Sequence, residues 1–335
     1  MNFSALIPTV LATFCFTTVA DAKAAETGPP NVVVSIKPVH SLVAGVMAGV
    51  GQPRLLLQGG ASPHNFSLKP SEARALWKAD LIVWVGPGLE NFLVKPLKAL
   101  PVTTRVVELS KSKGLVLHAA REGGTWQRHG HEHGGGADPG TTDMHIWLDP
   151  LNARAWVGAL VEILVEENPA NAAAYRINGE KLSNQLIDLD VKLRRLLNAD
   201  AKTPFLAFHD AYQYFEKHYG LHGLGSVMDS PRRWPGTGRL SETRAGLRSQ
   251  KAVCLFFDTP SEPPLVRPLV EGTGVRAVAL DPLAARIEAG PGLYFLLLEG
   301  FAESILDCLS PAPARDRSKG KENHPVNQQK NKNKE

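Results

Sequence analysis

The chain has 335 residues, 43% apolar and 21% charged, which excludes a disordered or fibrous protein and leaves room for two lobes with buried cores. The net charge of +4 does not describe the folded part: residues 311–335 hold seven Lys/Arg against three Asp/Glu and residues 1–22 a single acid, Asp21, so 23–310 carry only +1. No basic face is left for nucleic acid.

Residues 1–22 read as an export signal, apolar over 3–20 and ending in the small-x-small pattern Ala20-Asp21-Ala22. The start lacks Lys and Arg, so an uncleaved membrane anchor is the competing reading. Pro8 and five Ser/Thr dilute the run, however, and a span needs about 20 predominantly apolar residues. A lipid anchor on Cys15 would have to follow the bulky Phe14. No other segment is long and apolar enough to span, so an exported, soluble protein is expected.

Strand-like runs at 31–36, 54–57, 81–85 and 105–109 alternate with helical stretches at 38–50, 70–78 and 90–99, the pattern of βαβ units on a parallel sheet. Residues 110–144 break it, being rich in Gly, His, Asp and Thr, and a loop this long is functional or disordered. A helix over 150–166 follows. Leu182, Leu186, Leu189, Leu193 and Leu196 then recur at three- and four-residue spacings, the mark of one long amphipathic helix. Alternation resumes with strands at 204–208, 223–227, 253–257 and 275–280 and helices at 211–219, 241–250, 262–272 and 293–309. The expected fold class is α/β: two lobes, each a mostly parallel sheet flanked by helices, joined by one long helix. The first lobe is 23–167 with a His-rich loop at 110–144, the connecting helix 168–200, and the second lobe 201–310. The basic tail 311–335 is too polar to bury apolar area and is expected to be disordered.

Four candidate metal ligands sit past apolar runs: His64 in GGASPHNFSL, His145 in TTDMHIWLDP, His209 in TPFLAFHD and Asp281 in GVRAVALDP. In open α/β sheets ligands gather outside the carboxyl ends of the strands, and three imidazoles with one carboxylate would close a tetrahedral zinc shell. Each is weak alone, since a single His at a strand end is more often a hydrogen-bonded structural residue. Asp281 competes as an N-cap ahead of Pro282. A Gly-flanked HGHEH tract adds His129, His131 and His133, with His118 upstream, as a weak secondary metal site or an inert polar loop. Once Cys15 leaves with the signal, Cys254 and Cys308 remain, either as one disulfide or as two separate buried thiols.

GGASPHNFSLKPSEAR, MHIWLDP, FHDAYQYFEKHYG and VALDPL occur in this order, with the long helix between the second and third. Together they resemble the zinc-uptake solute-binding proteins of bacterial ABC importers, the cluster A-I metal-binding receptors, over essentially all of 31–309. The resemblance implies a periplasmic Gram-negative receptor that is not an enzyme. It also implies Zn2+ as the transported ligand, bound by His64, His145, His209 and Asp281. His209 falls at the position where zinc binders of the family carry His and manganese binders Glu, as ligand softness would have it. Cys254 and Cys308 match a disulfide of the Gram-negative members. The implied partners are an ABC permease membrane subunit and an accessory periplasmic zinc chaperone, with the receptor itself a monomer. Pro63 stands where some members have an acidic residue, the His-rich loop is short, and the tail has no counterpart. The alternative class is an exported zinc hydrolase with an open coordination position. It lacks an HExxH motif, and coordination number separates the two readings.

Overall fold

A computed structural model describes residues 28–121, 124–125, 142–198, 201–228, 235–249, 252–259 and 262–310. The export signal at 1–22, the histidines at 129, 131 and 133, and the tail 311–335 lie outside the described residues.

The first lobe is a four-stranded parallel sheet of β1 (Val32–Val34), β2 (Arg54–Leu55), β3 (Leu81–Trp84) and β4 (Arg105–Glu108), in the order β2-β1-β3-β4. Helices α1 (Lys37–Val46), α2 (Pro70–Trp77) and α3 (Val94–Lys98) make the crossovers. Pro38 and Pro70 open α1 and α2 in the first turn, where a missing N–H costs nothing. At α2 the Glu72 carboxylate also accepts the Lys69 N–H at 2.7 Å. β1 and β3 are buried along their whole length, so they read as continuous apolar runs rather than alternating ones.

The helices α4 (Pro150–Glu167) and α5 (Ala172–Leu197) pack against each other. Asp149 caps α4 by accepting the Leu151 N–H at 2.8 Å. The long connecting helix is present but starts later than the sequence suggests: Asn168 ends α4, Pro169–Asn171 make a 3-10 turn, and α5 proper begins at Ala172. Pro169 supplies the break. Along α5, Leu182, Leu186, Leu189 and Leu193 are buried as the spacing predicts, but the packed face ends on Leu197, and Leu196 is exposed. Gly179 lets the two helices approach, since a Cβ there would lie 2.2 Å from Val161 Cγ2.

The second lobe carries β6 (Pro204–Ala207), β7 (His222–Ser226), β8 (Cys254–Asp258) and β9 (Arg276–Leu280), all parallel, with α6 (Gln213–Tyr219), α7 (Thr237–Ser249), α8 (Val266–Val270) and α9 (Leu293–Leu309). A fifth strand, β5 (Gly124–Thr125), comes from within the stretch read as loop and pairs antiparallel with β7. It covers an edge whose N–H and C=O groups would otherwise stand open, and it carries first-half sequence onto the second sheet. One apolar cluster runs from Val32 through α4 and α5 to α9, while a smaller one around Leu206, Leu224, Leu255 and Leu269 fills the far side of the second sheet. Helix α9 packs on α1, α5 and β9, so the last helix spans both lobes. Cys254 of β8 and Cys308 of α9 form a disulfide, 54 residues apart in sequence. Among the described residues no helix is long and apolar enough to cross a membrane.

Candidate metal centre

His64, His145 and His209 converge on the cleft between the lobes. Their ring centroids are 5.6, 5.6 and 5.1 Å apart, and one nitrogen from each lies within 4.8 Å of the other two. Zinc–nitrogen bonds of about 2.0–2.1 Å place tetrahedral donors roughly 3.4 Å apart, so the group stands at or near the spacing an ion would impose. His209 follows β6 directly, at the carboxyl end of its strand. His64 sits on the connection between β2 and α2. Among the described residues His145 follows no strand of either sheet: Thr142 makes only an isolated bridge to Ala119, and His145 precedes a 3-10 turn, Ile146–Leu148, that leads into α4. Thr142-Asp143-Met144 before it is not the apolar run the strand reading needs. The cleft has a volume of about 270 Å³ and is walled by Trp147, Phe208, Met228, Pro263 and Leu283.

Asp281 stands at the end of β9 but outside the histidine group. Its two carboxylate oxygens accept the N–H groups of Ala285 at 2.9 Å and Arg286 at 3.4 Å, capping the turn that follows the strand. Among the described residues the carboxylate that lines the cleft is Asp258, the last residue of β8. The strand-end rule points to it as directly as to Asp281, and sequence reasoning passed it over. His118 lies apart from the histidine group. Its ring packs on Tyr214 with centroids 4.8 Å apart, and burial, reinforced by Lys217, lowers its pKa.

The rings are held from behind. His209 Nδ1 is 2.6 Å from Asp258 Oδ2, and Tyr212 donates its hydroxyl to Asp258 Oδ1. His145 Nδ1 is 2.7 Å from Asp143 Oδ1, and Gln213 Nε2 donates to Asp143 Oδ2 at 3.1 Å. Burial alone would lower the His209 pKa, but the Asp258 carboxylate outweighs it and the pKa stands above its ordinary value. Burial would likewise raise Asp143 and Asp258, yet the neighbouring imidazoles hold both below the usual carboxylate range. Beside His209, burial pushes Asp210 and Glu216 upward against the opposing charge of Arg121. That guanidinium, just before the His-rich tract, bonds Asp210 Oδ2 at 3.0 Å and Glu216 Oε2 at 2.7 Å, and so ties the loop stem to the second lobe.

Fold and site together define a class: two-lobed α/β proteins with a three-imidazole metal centre in the cleft between lobes. The family model described as "ZnuA: Zinc-uptake complex component A periplasmic" matches residues 32–308, and the chain belongs to that family. It is 38% identical to the high-affinity zinc uptake system protein ZnuA of Brucella suis biovar 1 (strain 1330), over 90% of this chain and 96% of that one. The protein of the same name from Paracoccus denitrificans (strain Pd 1222) is 35% identical, over 84% and 92%. Among solved structures, a crystal structure of ZnuA superposes with a TM-score of 0.71 at 22% identity, over 84% of this chain and all of that one. A manganese-bound solute-binding protein, FpvC from Pseudomonas aeruginosa, also reaches 0.71, at 18% identity over 84% and 98%. The fold alone therefore does not choose the metal.

Proposed function

We propose that this protein is the periplasmic zinc receptor of an ABC importer, which captures Zn2+ between its lobes and hands it to an inner-membrane permease. The convergence of three imidazoles from both lobes carries this reading. Nitrogen donors suit zinc, whereas oxygen-rich sites suit manganese, and the curated relatives carry zinc-uptake names. His64, His145 and His209 supply three ligands. Asp281, outside the histidine group as it stands, becomes the fourth by moving toward the rings, since each of its oxygens accepts a single N–H and keeps a lone pair for a metal. Until then the fourth corner belongs to a small exogenous ligand. His118, with His129, His131 and His133, provides a looser secondary site. The receptor acts as a monomer, exported by the signal at 1–22, with an accessory periplasmic zinc chaperone as a further partner.

An open fourth corner is also what a zinc hydrolase uses. Such an enzyme needs a carboxylate free to take a proton, and Asp258, the one lining the cleft among the described residues, has both oxygens engaged by His209 and Tyr212. The receptor reading therefore prevails. Zinc and manganese titration of the mature protein, with metal analysis of the purified form, tests it. One tight zinc equivalent is expected, and manganese bound as tightly as zinc would overturn the assignment.

A further inference from the structure

Two carboxylates, Asp143 buried and Asp258 partly buried at the cleft, stand behind the histidines, and consecutive residues brace both of them. Asp258 belongs to β8 of the second lobe, and Asp143 to the segment entering α4 of the first. At the start of α6, Tyr212 donates its hydroxyl to Asp258, and Gln213 donates its amide to Asp143 Oδ2 at 3.1 Å. The next residue, Tyr214, donates its hydroxyl to the Asp143 carbonyl at 2.8 Å. The remaining Asp143 oxygen takes the His145 backbone N–H at 3.0 Å as well as the ring nitrogen at 2.7 Å. Neither carboxylate can turn away from its imidazole without breaking a second bond inside the protein.

We propose that Asp143 and Asp258, braced by Gln213 and Tyr212, are positioning residues that hold the Nδ1–H of His145 and His209 and so aim both Nε2 lone pairs at the metal. This rests on His145 and His209 being zinc ligands. The chemistry is direct. An imidazole that donates from one nitrogen has its tautomer and ring angle fixed and becomes the more basic donor at the other. The placement of the braces adds a consequence. Gln213 belongs to the second lobe but steadies a ligand of the first, so α6 aligns the two rings with each other as well as with their own lobes. The sequence cue is the run His209-Asp210-Ala211-Tyr212-Gln213-Tyr214, where the ligand and its braces lie within one turn and a half of chain.

The test compares wild type with Asp143→Asn, Asp258→Asn and the milder Tyr212→Phe, each near-isosteric, using zinc itself as the probe. Zinc affinity by chelator competition should fall about 10- to 100-fold in each Asn variant and less in Tyr212→Phe. In zinc-loaded wild type, proton NMR should show two strongly hydrogen-bonded imidazole Nδ1–H signals far downfield. Asp143→Asn should remove the one assigned to His145, and Asp258→Asn the one assigned to His209. A purely structural role would lower the metal-free melting temperature without selectively erasing one of these signals. If an Asn variant does not fold, Tyr212→Phe carries the test through the His209 signal and the zinc affinity. Affinities within twofold of wild type, or both downfield signals persisting in the variants, overturn the proposal. Wild type that fails to bind zinc overturns the receptor reading first.

Discussion

Trp147 donates its indole N–H to the carbonyl of Pro282 across 2.7 Å, joining the motif that carries His145 to the turn that follows Asp281. The Trp147 carbonyl in turn accepts the Tyr294 hydroxyl at 2.6 Å, and the Tyr294 N–H donates to Ser41 Oγ at 3.0 Å. From α1, Lys37 Nζ reaches three carbonyls of the same turn, those of Ala284, Ala285 and Ile287, at 2.8–3.0 Å. Ala284 sits at φ 52°, a left-handed conformation that costs an alanine roughly 1–2 kcal/mol. Bonds from both lobes offset that strain, so the cleft wall is a joint rather than a loose lip. An ion settling among three ring nitrogens already within 4.8 Å of one another asks for little movement of such a joint.

Lys37 is the exposed flank of that argument. Lys37→Met keeps most of the aliphatic stem but leaves three carbonyls without their charged donor. Hydrogen bonds to charged groups contribute about 1.5–3 kcal/mol each and do not add fully, so a loss of roughly 3 kcal/mol is expected. In a chain of 335 residues that is a fall of roughly 4–5 °C in melting temperature. Thermal unfolding of metal-free protein checks it, and a midpoint within about 2 °C of wild type would remove Lys37 from the joint.

His209→Ala and Asp281→Ala should separate ligand from cap. Loss of an orienting partner weakens a metal site by about 10- to 100-fold, so loss of the ligand His209 should exceed about a hundredfold. Asp281→Ala should weaken zinc binding by less than about tenfold while costing the metal-free protein about 1 kcal/mol, the usual worth of a capping carboxylate. Chelator competition and unfolding midpoints give both numbers. Equal loss of affinity in the two variants would mean that the turn opens and Asp281 enters the shell, as the sequence pattern suggests.

Much of this architecture is legible in the chain because local and tertiary signals agree. The leucines of α5 at 182, 186, 189 and 193 repeat at helical spacing and are buried, with Leu197 rather than Leu196 closing the face, and Pro38, Pro70 and Pro150 stand in the opening turn of their helices. The histidine group is legible only as a set, since each residue alone has a structural explanation. What stays hidden depends on distant chain. Strand β5 exists because the β7 edge is there to pair with, and no periodicity in Gly124-Thr125 announces it. Helix α9 is apolar enough to foresee, but its seat against α1 of the other lobe is not. Asp258 and Asp281 look alike in sequence, each closing an apolar strand. Tyr212 and His209 claim one, and the backbone of its own turn claims the other.

A second histidine gives the fold a pH dependence of definite sign. His218 on α6 lies between Asp149, with Nδ1 to Oδ1 at 3.1 Å, and Asp190 of α5, with Nε2 to Oδ1 at 2.6 Å. Arg194, bound to the same Asp190, and the Tyr219 ring are its other close neighbours. Burial opposes the imidazolium, but Asp149 and then Asp190 outweigh it, so the pKa lies above its ordinary value. A pKa higher in the folded than in the unfolded chain means that folding favours the charged form. The stabilisation is complete below about pH 6.5 and fades as pH rises through the elevated pKa. His218→Gln should therefore cost most near pH 6, roughly 3 kcal/mol for a broken buried pair, and clearly less near pH 9. Urea unfolding of both proteins across that range measures the gap, and a gap that widens with pH would contradict the assignment.

The His-rich tract can be separated from the cleft with a cut that the fold dictates. Arg121 ties its stem to Asp210 and Glu216, and β5 pairs with β7, so a deletion reaching back to residue 123 would remove a strand as well as histidines. Deleting 126–136 spares both anchors and removes His129, His131 and His133. The cleft loses none of His64, His145 or His209, and the tight zinc equivalent should keep its affinity. A weaker second equivalent should vanish with the tract. In the intact protein that equivalent should fade below about pH 6, because an imidazole must be neutral to bind metal and its unperturbed pKa is near 6.5. His118 alone cannot sustain it, because it supplies a single imidazole and that ring is packed on Tyr214. Calorimetry on the intact and shortened chains at pH 7.5 and about pH 5.5 reads both effects. Identical stoichiometry and affinities in the two proteins would make the tract a tether between anchors and nothing more.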